Sequence, residues 1–284
     1  MSQISSSESL SSPPSAHFDR GGIREDNQRL LIHSHLSSVA PDFIPQLILP
    51  DEKMLAEAES QKGYPVENIQ GLKWADLIYH PEKNVVAGQE FTRFTCADHL
   101  HIALQTLKEV KIMIENYGIV LKDRNLNNVI VAPTQESGHF SHDQNQWKVW
   151  QVDLEEIYDA VTGENTIGNQ VDLSERKNVK PENMQDPQRT EKELSKIVRS
   201  VFDGLNDMRR RPEIVGTMSP QLKRELDSFF LKYKSERFSE VDGPVIHLND
   251  SITILDGFLS LQKTQPAEKK RSPLLRSLRA RQVN

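Results

Sequence analysis

The stretch from Thr95 to Val131 restricts what this chain can fold into more than any other. Thr95 and Asp98 form a T-x-x-D start, whose side chains cap the free N–H groups of a helix's first turn. Leu100, Ala103, Leu104, Leu107, Val110, Met113, Ile114 and Tyr117 then recur at helical spacing and make one apolar face. Met113 and Tyr117 read as core residues on this face. Gly118 is the residue type that ends a helix in the left-handed conformation. Ile119-Val120-Leu121 and Val129-Ile130-Val131 are strand-like, and the polar loop Lys122 to Asn128 separates them. A second β-type run, Lys148 to Leu154, delivers one carboxylate, Asp153, near its end. Acids and an amide brought to one edge in this way suit a metal–phosphate, because Mg²⁺ takes one or two carboxylates, an amide oxygen and substrate phosphates. The simpler reading of Asn125, Asn127 and Asn128 is that they are turn residues.

The residues Leu121-Lys122-Asp123-Arg124-Asn125-Leu126-Asn127-Asn128, followed by Asp153-Leu154-Glu155, resemble the catalytic core of the protein-kinase-like fold. That family, which includes aminoglycoside-phosphotransferase-like enzymes, carries H-R-D-x-x-x-x-N and then D-F-G. Leu121 stands in place of the histidine and Glu155 in place of the glycine. D-x-x-x-x-N alone arises about once or less by chance in a chain of this length. Its weight comes from the order of elements around it.

The resemblance implies an α+β fold, with a small β-containing N-lobe over residues 23–91 and a mainly α-helical C-lobe over 92–262. It spans about Asp51 to Leu261 and is strongest from Thr95 to Asp153. It implies that Asp123 accepts the proton of an attacking hydroxyl, and that Lys122 pairs with phosphate or with the segment beyond Asp153. Asn128 and Asp153 are then the Mg²⁺ ligands, set against the phosphates of ATP. The implied activity is transfer of the ATP γ-phosphate to a protein or small-molecule hydroxyl. The alternative within the family is a pseudokinase, a degenerate module that binds or scaffolds without transfer. Outside the family, the chain is an α+β interaction protein in which the motif is coincidence.

The N-terminal third carries the departures. Gly21-Gly22 is not the family's G-x-G-x-x-G, although residues 23–50 should hold its first three strands. Phe43 to Leu49 is strand-like, with Pro45 marking an edge strand or no strand and Gln46 where a phosphate-pairing lysine is expected. Asp51 to Lys62 reads as a helix in which Glu57 or Glu59 replaces the family's helix αC glutamate. Trp74 to Tyr79 and Asn84 to Ala87 read as a hairpin, and Gln89-Glu90-Phe91 as the hinge where Glu90 and Phe91 meet the adenine.

Beyond the loop, Ala132 to Trp147 is a polar insert holding His139, His142 and Asp143. It has no third well-spaced ligand and reads as a surface loop. Asp159 to Gln188 suits an activation-segment-like loop, with Lys180-Pro181-Glu182 echoing the family's A-P-E. Thr190 to Asn206 has Leu194, Ile197, Val198, Val201, Phe202 and Leu205 on one face, as a helix anchoring the loop would. Helices are expected again from Met208 to Gln262, including Pro220 to Tyr233 and Ile252 to Leu261.

Composition narrows the classes. The chain has 284 residues and a formal net charge of −6, which argues against nucleic-acid binding by its body. A single cysteine, Cys96, excludes an intrachain disulfide and a cysteine-based zinc finger, and suits a reducing compartment such as the cytoplasm. No apolar run is long enough to span a bilayer. Residues 1–22 are Ser-rich and read as a disordered leader, or more sharply as an export leader of an effector delivered into host cells. Residues 263–284 form a basic tail with Lys269, Lys270, Arg271, Arg276, Arg279 and Arg281 around Leu274, Leu275 and Leu278. Such a tail either touches an acidic partner or anionic surface, or stays a solvated appendage.

Overall fold

The computed structural model describes residues 16–20, 32–47, 63–67, 69–80, 85–86, 89–90, 94–134, 147–154, 156–168, 171–239 and 247–263. The helix from Asp51 to Lys62 with Glu57 and Glu59 lies outside these residues. So do Phe91, His139, His142, Asp143, Glu155, residues 264–284 of the basic tail and all of the leader but residues 16–20.

Those residues form strand β1 (Ala16–Arg20), which pairs antiparallel with β2 (Gly63–Glu67), Ala16 opposite Glu67 and Arg20 opposite Gly63. These five residues of the leader are therefore sheet. Residues 32–39 form helix α1 where strands were expected. Its buried Ile32, His33, Leu36, Ser37 and Ala40 follow helical spacing, which sets the conformation. Phe43 and Ile44 then turn back on Ala40, whose carbonyl accepts from both their N–H groups. Pro45 follows this turn, so the expected strand from Phe43 begins as a buried turn.

β3 (Leu72–Lys73) leads straight into helix α2 (Trp74–Tyr79), so the first half of the expected hairpin is helical. Trp74, Ala75, Leu77 and Ile78 are buried, a pattern that fits one helix face and breaks strand alternation. Trp74 Nε1 donates to Nδ1 of the buried His99 at 3.1 Å, which fixes this helix on the next long one. The hairpin that does form joins β4 (Val85–Val86) to β5 (Gln89–Glu90), with Glu90 opposite Val85.

Helix α3 (Cys96–Ile112) starts with the Thr95–Asp98 capping box and continues into a π-helical turn, Met113–Tyr117. Gly118 closes it at φ 69°. Next come β6 (Ile119–Leu121), a 3₁₀ turn at Leu126–Asn128, β7 (Val129–Pro133), β8 (Trp147–Gln151) and β9 (Ile157–Asp159). β7 lies between β3 and β8, and β6 pairs antiparallel with β9. The helices that follow are α4 (Pro187–Met208), α5 (Pro212–Val215), α6 (Pro220–Ser239) and α7 (Leu248–Lys263). The chain is thus α+β, with its helices concentrated after β9. Among the described residues no helix is long and apolar enough to cross a membrane.

Two cores meet at the polar loop. The larger joins α3, α4, α6 and α7 with Val129, Val131 and Val149 of β7 and β8. The smaller gathers Leu36, Phe43 and Ile44 with Ile119, Leu121, Leu154 and Ile157. Leu121 and Leu154 flank the two candidate segments, while Val129 lies in the other core. Each fully buried aliphatic side chain stabilises by about 1.5–3 kcal/mol, so both ends of the loop are tied down independently.

Candidate functional site

The loop after β6 organises itself around Asp123. Asn125 Nδ2 donates to Asp123 Oδ1 at 2.8 Å, and Asn128 Nδ2 donates to Oδ2 at 3.0 Å and to the Asp123 carbonyl at 2.8 Å. Asn125 Oδ1 accepts from the Asn127 N–H at 2.8 Å, an Asx turn that starts the 3₁₀ segment. The turn reading of these asparagines therefore holds. Asn125 builds the turn, and the buried Asn128 fixes the carboxylate.

Asp153 is brought to this loop through its backbone. The Val152 N–H donates to the Asn128 carbonyl at 3.0 Å. Arg124, only 2% exposed, reaches across with its guanidinium. One nitrogen donates to the Val152 carbonyl at 2.9 Å and to Gln151 Oε1 at 3.3 Å, and the other to the Asp153 carbonyl at 2.6 Å. Asp153 itself has φ 58°, left-handed and uncommon for a residue with a Cβ. Asp123, Asn128 and Asp153, separate in sequence, thus belong to one hydrogen-bonded unit. The carboxylate residues Asp123 and Asp153 are half-buried.

Lys122 behaves differently. Its N–H donates to the Glu156 carbonyl at 2.8 Å, and its Nζ pairs with Glu156 Oε2 at 3.6 Å. This half-exposed ion pair ties the loop to the segment beyond Asp153. Glu90 is in β5, and its expected hinge partner Phe91 lies outside the described residues.

Three residues behind the site carry no motif signature. Gln151 Nε2 donates to Glu109 Oε2 at 2.6 Å, and Gln105 Nε2 donates to Glu109 Oε1 at 3.0 Å. Burial pushes the Glu109 carboxyl up to about 8, against the pull of the Gln151 and Gln105 amides and the Arg124 and Lys148 charges. Burial likewise lowers the Arg124 guanidinium to about 10, against the stabilising charges of Asp153, Asp123 and Glu109. The sequence did hold a signal: Glu109 and Gln151 are polar residues at core-facing positions of a helix and a strand.

The residue types gathered here, two carboxylates and an amide, are those that a hard cation takes. Among the described residues there is no cluster of three or more His, Cys, Asp and Glu side chains. Any divalent ion here would therefore take an amide oxygen or phosphate in its shell. No protein-family model matches the chain, and no match is found among curated proteins.

Proposed function

We propose that this chain is a Mg²⁺-dependent phosphotransferase of the protein-kinase-like superfamily, moving the γ-phosphate of ATP to a hydroxyl of a protein or small molecule. The reading is carried by the unit just described, in which Asn128 fixes the Asp123 carboxylate and Arg124 with Asn128 draws in the backbone at Asp153. The order helix, strand, loop, strand, strand and acid supports it.

On this reading Asp123 orients the acceptor hydroxyl and takes its proton as the oxygen bonds to phosphorus and the bond to ADP breaks. Both Asp123 oxygens already accept one hydrogen bond. Each keeps a lone pair for the hydroxyl, and the carboxylate is held in one orientation. Asn128 and Asp153 would hold Mg²⁺, which supplies the neutralisation of phosphate charge that this chemistry mainly needs. The reading also assigns the chain to a reducing compartment such as the cytoplasm, reached directly or after export. The basic tail then serves an acidic partner or anionic surface.

The test is a thermal shift with Mg²⁺–ATP. The wild type is expected to rise in Tm, and Asp153→Ala is expected to fold and lose the rise. Transfer is then read with γ-labelled ATP and candidate acceptors. Incorporation from α-labelled ATP in its place identifies a nucleotidyl transferase and rejects phosphoryl transfer. A second reading, the pseudokinase, is favoured by Gly21-Gly22 in place of the glycine loop and by the tie between Lys122 and Glu156. It predicts nucleotide or partner binding with no label transferred.

A further inference from the structure

Buried polar side chains on core-facing positions are costly unless they are paired, and each needs a reason. Glu109 is 4% exposed, Gln151 0% and Arg124 2%. They form one directional chain. Arg124 donates to Gln151 Oε1, Gln151 Nε2 donates to Glu109 Oε2, and Gln105 Nε2 donates to Glu109 Oε1. An amide has a donor end and an acceptor end, so Gln151 serves Arg124 only when it is turned one way. The acceptor oxygens of Glu109 set that sense, and they do so from helix α3.

At its other end the chain closes on two successive carbonyls, those of Val152 and Asp153. Along an extended strand, successive carbonyls point to opposite edges of the strand. Here one guanidinium meets both carbonyls at a residue with φ 58°.

We propose that Glu109, Gln151 and Arg124 are positioning residues, a relay from helix α3 that holds Asp153 in its left-handed backbone and so sets the carboxylate of the cation site. Its functional consequence rests on the phosphotransferase reading; its structural claim does not. Partners one shell behind metal ligands typically change affinity about 10–100-fold when removed.

The relay is tested in the full chain with Glu109→Met, Gln151→Met and Glu109→Gln. Two readouts are used: the backbone ¹³C and ¹⁵N shifts of isotope-labelled Asp153, and the calorimetric affinity for Mg²⁺–ATP. Glu109→Met and Gln151→Met remove a link, so both are expected to move the Asp153 shifts and to weaken binding about 10–100-fold. Glu109→Gln is expected to leave both as in the wild type. Its carbonyl still accepts from Gln151, and its NH₂ is met by Gln105 once that amide turns over. Unchanged shifts in a folded Glu109→Met or Gln151→Met overturn the relay. A Glu109→Gln variant as impaired as Glu109→Met overturns it too. If Glu109→Met does not fold, Gln151→Met decides alone. If the wild type binds no Mg²⁺–ATP, the phosphotransferase reading fails and the Asp153 shifts decide the relay.

Discussion

Arg124 and Arg176 are both guanidinium anchors, and what they hold differs. Arg176 meets Asp159 in a two-bond fork, 2.8 Å on each side, and also donates to the Tyr117 carbonyl at 3.0 Å. Asp159 is fully buried, and its Oδ1 additionally accepts from the Val161 N–H at 3.0 Å. Every part of that carboxylate is enclosed in structure. It locks β9 and the segment after it to the end of the π turn. Arg124, in contrast, bonds one amide oxygen and two carbonyls. The negative charges that stabilise it belong to Asp153, Asp123 and Glu109. Two of those three are half-buried at the loop edge. A cation spent on a carboxylate closes a structure. A cation spent on the main chain shapes a loop.

Breaking the closed pair should have the largest effect. Asp159→Ala strands a largely buried guanidinium, a change that costs about 3–5 kcal/mol. Urea unfolding of this variant is expected to show that loss with little change in slope. A loss below about 1 kcal/mol, the range of exposed ion pairs, removes the contrast between the two arginines.

The Arg124 side should respond to pH, because burial pushes up the carboxyl of Glu109 behind it. Glu109 titrates near 4.5 when unfolded and at about 8 when folded. The folded state therefore binds more protons across that window. Its contribution to stability is complete below about 4.5, declines as pH rises, and is lost once pH passes about 8. Glu109→Gln removes this titration. The stability of the variant relative to wild type is expected to increase from pH 5 to pH 8, by an amount on the order of a few kcal/mol. Denaturant midpoints at the two pH values measure it. A constant difference means that Glu109 ionises as an exposed carboxyl does.

What was legible in the sequence was local. The Thr95–Asp98 box, the apolar face of α3, the Gly118 stop and the strand–loop–strand order all depend on neighbours within one turn or one pleat, and all are present. The helix expected from Thr190 to Asn206 is α4, which starts earlier because Asp186 caps it ahead of Pro187. What failed was decided at long range. Trp74 to Tyr79 has the composition of a strand but becomes helix α2, with Trp74 bonded to His99 and Tyr79 to Asp207 of α4. Ala16 to Arg20 finds a β partner more than forty residues away in Gly63 to Glu67. In the sequence Arg124 is one more polar loop residue, because nothing nearby tells whether an arginine points out or in. The polar breaks in the core pattern at Glu109 and Gln151 were its only advance notice.

The Arg124 loop is also seated from below. Leu126 packs where Gly204 of α4 has no side chain. A Cβ there would stand 2.6 Å from Leu126 Cδ2 and 3.1 Å from its Cγ. Gly204→Ala gains about 1 kcal/mol of helix propensity but crowds a packed contact at a cost of about 1–3 kcal/mol. The net loss of stability is expected to be about 0–2 kcal/mol. The shift of Leu126 should weaken Mg²⁺–ATP binding more than that. Undiminished binding would mean that the loop holds its shape without this seat.

The smallest effect on stability should come from the residue that Arg124 grips. An L-residue in the left-handed region costs about 1–2 kcal/mol, less for Asp than for most, and glycine is free of that cost. Asp153→Gly keeps the carbonyl that Arg124 bonds and relieves the strain at φ 58°. Part of the gain is returned as extra freedom of the unfolded chain, and the attraction between the Asp153 charge and Arg124 is lost, so the variant should stay within about 1 kcal/mol of wild-type stability. It should also lose the Mg²⁺–ATP thermal shift, because the carboxylate is gone. A protein that keeps its stability while losing the thermal shift is one whose strained residue serves the ligand more than the fold. If Asp153→Gly is markedly less stable, the carboxylate is a structural group like that of Asp159, and the two arginines do the same job.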